Sequence, residues 1–242
     1  MSISRVSTRS RPAAQPRATP FGARRALSLL AGLLILKVTA TVVLGYRNYF
    51  PPNFNSDFLQ GREQYFWGGY HWAFYTHIVS GPIVLILGVI LISDRFRLRF
   101  PKWHRSLGKI QILSILFLMA PSGLWMAFYA AAGTSAVIAF TVLSILTSVS
   151  AALGWRFAVQ RRFADHRRWM WRCFVLMCSA VVLRLLGGLA VVSGVHAPGF
   201  DQVASWASWM LPLAALELGR FKSRWRAGWV TLPARLQAQS TR

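Results

Sequence analysis

Residues 165–195 read DHRRWMWRCFVLMCSAVVLRLLGGLAVVSGV, a block dense in arginine and tryptophan followed by 23 residues, Cys173 to Val195, whose sole charge is Arg184. A hydrocarbon core about 30 Å thick is crossed by roughly 20 helical residues. The stretch therefore predicts a membrane-spanning helix entered from a basic surface. Apolar runs at 26–46, 70–92, 109–130, 135–155 and 203–219 bring the count to six, the last slightly short and interrupted by Pro212. With 55% hydrophobic and 14% charged residues, the expected fold class is all-α, a polytopic membrane helix bundle with six transmembrane helices.

The positive charge is laid out between these runs. Six basic residues precede residue 26, six lie in 95–109, six in 156–172 and six in 220–242, whereas the alternate loops hold only Arg47 and Arg62. Short loops rich in Lys and Arg stay on the cytoplasmic side, so both termini are expected to be cytoplasmic and the chain to lie in the bacterial inner membrane. The formal charge of +22 is thus explained by orientation, with anionic lipid headgroups as the expected partners and nucleic acid excluded. The organisation that follows is a basic cytoplasmic tail (1–25), a first helix (26–46), an outer interfacial loop rich in aromatics (47–69), a five-helix core (70–219) and a basic cytoplasmic tail (220–242). The first run is read as a retained anchor, because it is long for a signal peptide and no small-residue cleavage site follows it. Cys173 and Cys178, five residues apart, imply neither a disulfide framework nor a metal knuckle.

The topology sorts five histidines by depth. His104 and His166 fall at the inner ends of spans three and five; His71, His77 and His196 fall toward the outer side. Two facing imidazoles are what axial coordination of a b-type haem requires. An inner pair, His104 with His166, and an outer pair, His77 with His196 or His71, are the candidates. Gly81 follows His77 by four residues and Gly108 follows His104 by four, leaving room on the same helical face for a flat ring or for a neighbouring helix. Pro82 frees the carbonyl of Ile78 beside His77, for an ion, a water or merely a kink. Arg184 lies mid-span, where a guanidinium needs a partner: a haem propionate, a quinone carbonyl, a lipid phosphate, Glu217 or helix carbonyls. Lys37, midway along span one, is explained by a flexible stem or a cavity. Glu217, the one acid within the spans, is expected to pair with the basic tail or to compensate Arg184 or a histidine.

The ordered residues His77-x3-Gly81, His104-Arg105-x2-Gly108, His166-x2-Trp169-Met170-x-Arg172 and Arg184 resemble the bacterial membrane family called domain of unknown function 2306, over roughly residues 60–220, with Trp206, Trp209 and Glu217 near its end. The resemblance implies an integral membrane protein with histidines and arginines near helix ends, and no established activity. A fainter similarity is to the four-helix transmembrane b-type cytochromes. Those carry two ligands deep within one helix, whereas here His166 and His196 are 30 residues, about 45 Å, apart on a straight helix.

Three functions are weighed. The first is an electron-transfer protein whose His77, His104, His166 and Arg184 form an intramembrane site for haem b or a quinone-like ligand. The second is a non-catalytic protein that binds anionic lipid or a partner through Arg105, Arg167, Arg168 and Arg172. The third is a proton-coupled transporter using Pro82, His77 and Arg184. Whether the chain is an enzyme is left open.

Overall fold

A computed structural model describes residues 21–56, 58–194 and 197–239; the expectations for residues 1–20 and for His196 lie outside it. In chain order the α-helices are α1 (Phe21–Leu44), α2 (Glu63–Tyr65), α3 (His71–Leu91), α4 (Asp94–Arg99), α5 (Pro101–Ser114), α6 (Ala120–Ala127), α7 (Thr134–Val159), α8 (Phe163–Met177), α9 (Ser179–Val192) and α10 (Phe200–Gln239). The described residues form no strand, so the all-α expectation is met. Five helical stretches are long and apolar enough to cross a membrane: Ala26–Asn48, Glu63–Leu91, Pro101–Ala127, Thr134–Val159 and Phe163–Val192. The 203–219 run is the first half of α10, which packs along α7, α8 and α9.

Local sequence sets the breaks. Between α5 and α6 a π-turn covers Ile115–Met119, just before Pro121, which has no N–H for the regular ladder. Gly69, at φ +108°, takes the left-handed conformation that separates the preceding loop from α3. The short α4 is capped by the Ser93 hydroxyl, which accepts from the Phe96 N–H; Asp94 lies in its first turn and Arg97 and Arg99 in its last, in accord with the helix dipole. Pro101 then opens α5 at a position where no N–H is needed.

Lipid tails are as apolar as leucine, so burial alone does not hold such helices together; close packing and internal hydrogen bonds must. The centre packs Val84 and Leu85 of α3, Ile112 of α5, Ala151 of α7, Cys173 and Met177 of α8 and Val181 of α9. Glycine permits the closest approaches. A Cβ on Gly88 would lie 2.9 Å from the Phe174 ring, and one on Gly154 would lie 2.6 Å from the Met170 sulfur. Among the described residues helix α1 packs on α3 and α9 and exposes Leu27, Leu29, Leu30, Leu33 and Leu44, as a lipid-facing peripheral helix does.

The two ends of the bundle differ. One gathers the arginine-rich loops, and α4 is tied across it to α8 by an ion pair between Asp94 and Arg167. The other is closed by aromatic packing. The described residues of 47–69, expected as an outer interfacial loop, fold over the helix ends: Leu59, Phe66, Tyr70 and Phe74 are all but fully buried, with Tyr49, Phe54 and Tyr65 against them. Arg62 is 8% exposed at their centre. It donates to the Phe58 carbonyl (2.7 Å), the Tyr65 hydroxyl (2.9 Å) and the Tyr129 carbonyl (2.7 Å), and its guanidinium stands 4.9 Å from the Phe58 ring centre.

Candidate functional site

At the arginine-rich end, α5 presents His104 and α8 presents His166. Each ring has a distinct environment. The Gly154 carbonyl of α7 accepts from His166 Nδ1 at 2.8 Å; a carbonyl only accepts, so Nδ1 carries the proton and Nε2 is the lone-pair nitrogen of the neutral ring. His104 Nδ1 is buried and has no hydrogen-bond partner among the described residues. Around Gly108, one turn above His104, no described atom lies within 4 Å of where a Cβ would stand. No neighbouring helix packs against this glycine among the described residues.

Seven residues after His104, on the same face of α5, comes Gln111, which is 1% exposed. Its Nε2 donates to the Val84 carbonyl at 2.8 Å, while its Oε1 is buried without a partner. Sequence reasoning passed over this residue. The available signal was a lone amide inside an apolar run, in helical register with a histidine.

The charged groups nearby are paired, some across helices and some within one. Glu217 of α10 accepts from Arg172 Nε at 2.7 Å and Nη2 at 3.1 Å, and Arg220 approaches it at 3.4 Å. The expected pairing with the basic tail is present through Arg220, and the shorter bonds come from α8. Asp165 pairs with Arg162 at 2.7 Å and with Arg168 at 3.4 Å. Outside the spans, burial raises the Asp94 pKa, but hydrogen bonds from Arg167 and Arg97 outweigh it and hold this carboxyl below its ordinary value. Arg105 is exposed. Thus three of the four arginines considered for lipid binding also hold protein carboxylates.

Toward the aromatic end, His77 packs against Gly123 of α6, where a Cβ would lie 2.9 Å from the ring. Its Nδ1 donates to the Met119 carbonyl at 3.1 Å, with the Ser122 hydroxyl at 3.3 Å. The carbonyl of Ile78, freed by Pro82, accepts from the Tyr46 hydroxyl at 2.6 Å. The carbonyl that Pro82 leaves free is therefore used to fasten the chain just after α1, through a residue 32 positions upstream. Arg184 is exposed and donates to the Ala180 carbonyl at 3.2 Å. Lys37 is exposed on α1. His71 lies elsewhere: its Nδ1 donates to the Phe66 carbonyl at 3.1 Å amid Phe66, Trp67 and Trp72. Six residues at 100° each leave it a third of a turn away from His77.

Cys173 and Cys178 are free thiols. Among the described residues no cluster of three or more His, Cys, Asp or Glu side chains is arranged to hold a metal ion. Two imidazoles are nevertheless sufficient to ligate a haem iron. A family model described as predicted membrane protein (DUF2306) matches residues 74–219, more than half of the chain. No curated protein matches, and no solved structure does.

Proposed function

Because the chain belongs to the DUF2306 family of predicted membrane proteins, its chemistry has to be argued from its own residues, and we propose that it is a six-pass inner-membrane electron-transfer protein whose His104 and His166 hold one haem b near the cytoplasmic face. The observation that carries the proposal is the state of the two rings. His166 has its Nδ1–H committed to a backbone carbonyl, the arrangement that fixes tautomer and orientation and raises the basicity of a ligating Nε2. His104 is half-buried, with its Nδ1 buried and unpartnered and open space beside Gly108 one turn away, so the hydrogen-bonding capacity of that nitrogen is open to something other than the described protein groups. When bound, haem would supply one-electron redox chemistry. The protein would supply the imidazole pair, the Gly154 carbonyl that orients one of them, and a surface of arginines suited to propionates.

The sixth span in this reading is the first half of α10, which reaches from Gln202, beside Gly133 at the aromatic end, to Glu217 on Arg172 at the other. The positive-inside rule places the arginine-rich end in the cytoplasm. The test is the haem-to-protein ratio of protein purified from haem-replete cells. One haem per chain is expected, falling to less than a tenth of that in His104→Ala and His166→Ala while His71→Ala retains it; haem-free wild-type protein would reject the proposal.

A second reading draws on the exposure of the arginines. Arg167 and Arg168 stay about half exposed despite their carboxylate partners, and each guanidinium has five donors, leaving capacity for anionic lipid headgroups alongside Arg105. This reading expects salt-dependent lipid binding that is lost on Arg→Gln changes and kept on His→Asn changes.

A further inference from the structure

We propose that the elbow between α4 and α5 is a docking surface for an acidic phospholipid of the leaflet at the arginine-rich end, with Arg95, Arg99 and Lys102 holding its phosphate and Leu98, Phe100 and Trp103 meeting its acyl region. The ligand class is that of the lipid binding considered for Arg105, Arg167 and Arg168, but the residues are separate. The surface does not depend on haem at His104 and His166.

Chain connectivity fixes the depth. Helix α4 begins three residues after α3 ends at Leu91, and Trp103 precedes by six residues the apolar run that starts at Lys109, about 9 Å at 1.5 Å per residue. The headgroup zone of one leaflet is about 5–8 Å deep. The elbow, joined to a spanning helix on either side, is therefore held at the headgroup level. It is also braced: α4 packs on α3 and α5, and the ion pair between Asp94 and Arg167 ties it to α8.

Positive charge is in excess there. Asp94 is the one acid between Leu91 and Lys109, and it accepts from Arg97 and Arg167. Arg95, Arg99 and Lys102 are exposed and have no carboxylate partner among the described residues. Residues four apart are neighbours on a helix surface, so Arg95 and Arg99 adjoin on α4, and Lys102 follows in the first turn of α5. Guanidinium pairs with phosphate through two parallel hydrogen bonds, and the ammonium adds a point charge.

Apolar groups are interleaved with these cations. Leu98, Phe100 and Trp103 are 75%, 44% and 63% exposed, and the Arg99 guanidinium stands 5.6 Å from the Phe100 ring centre. Cations beside exposed Leu, Phe and Trp form the mixed surface that lies in the boundary between headgroups and acyl chains. A phospholipid presents phosphate and hydrocarbon side by side and so meets both sets. A free anion or an acidic protein segment would engage the cations and leave Leu98 and Trp103 in water.

The test is native mass spectrometry of the full chain in dodecyl maltoside, titrated with phosphatidylglycerol or phosphatidylcholine. Wild type and Arg105→Gln/Arg168→Gln are both expected to retain phosphatidylglycerol in preference. Adding Arg95→Gln, Arg99→Gln and Lys102→Gln is expected to weaken that binding about tenfold or more, a basic residue at a membrane surface being worth about fivefold. Leu98→Gln/Trp103→Gln is expected to weaken it severalfold, each variant with an unchanged melting temperature. Should the multiple variant fail to fold, the Arg105→Gln/Arg168→Gln titration and Leu98→Gln decide. Equal retention of the two lipids, binding lost in Arg105→Gln/Arg168→Gln alone, binding unchanged by the elbow substitutions, or displacement by equimolar inorganic phosphate or hexaglutamate would overturn the proposal.

Discussion

Arginine does different work at the two ends of this bundle. At the aromatic end Arg62 is nearly fully enclosed and satisfied by two carbonyls, a tyrosine hydroxyl and aromatic faces. At the other end Arg167 and Arg172 join helices through carboxylates, and Arg168 pairs with Asp165 of its own helix, all three staying partly exposed. A desolvated guanidinium with complete hydrogen bonding is costly to disturb, because its partners are left buried and unpaired. An exposed ion pair trades one solvated state for another and contributes little. The aromatic end should therefore behave as the rigid closure and the arginine-rich end as the adjustable surface.

The largest effect should come from Arg62→Met, which strands the Tyr65 hydroxyl and two carbonyls; a loss of about 2–3 kcal/mol is expected, measured by unfolding in detergent. A shift no larger than that of a surface arginine would break the comparison. Gly123→Ala comes next. Its new methyl would meet His77 at 2.9 Å, and the crowding should cost about 1–2 kcal/mol, seen in the same unfolding measurement, whereas Gly108→Ala, with open space, should shift the unfolding midpoint little. Glu217→Gln should cost under about 1 kcal/mol, since Arg172 and Glu217 are 28% and 41% exposed, and the difference from wild type should shrink in high salt.

The smallest effect concerns Asp94. Its folded-state pKa is lowered, so the stabilisation it brings is present above its unfolded pKa, about 3.9, and is lost as pH falls through the folded value. With the side chain 58% exposed the change is small. Asp94→Asn should flatten the acid side of the stability profile slightly, and a steeper acid loss in the variant would contradict the assignment.

Helix class and approximate spans were legible in the sequence because hydrocarbon thickness imposes a length and composition on any spanning helix. The aromatic cap was not. Tyr65, Phe66 and Trp67 have the composition of an interfacial belt, and nothing local distinguishes rings that lie in headgroups from rings that pack on one another. Likewise the freed Ile78 carbonyl could be derived from Pro82, but its partner Tyr46 is set by how α1 docks. The Glu217 pairing was foreseen toward the adjacent tail, Arg184 or a histidine, whereas its shorter bonds reach Arg172, 45 residues away. In each case the sequence exposes the unmet need and tertiary contact chooses what meets it. His104 Nδ1 and Gln111 Oε1 are needs that no described contact meets, which is why the arginine-rich half carries the haem proposal.

The most direct measurement is the reduced-minus-oxidised absorption spectrum of the purified protein. The account predicts a Soret band and an alpha peak of b type that vanish together in His104→Ala and in His166→Ala. A colourless protein from haem-replete cells, or a spectrum unchanged by either substitution, would contradict it.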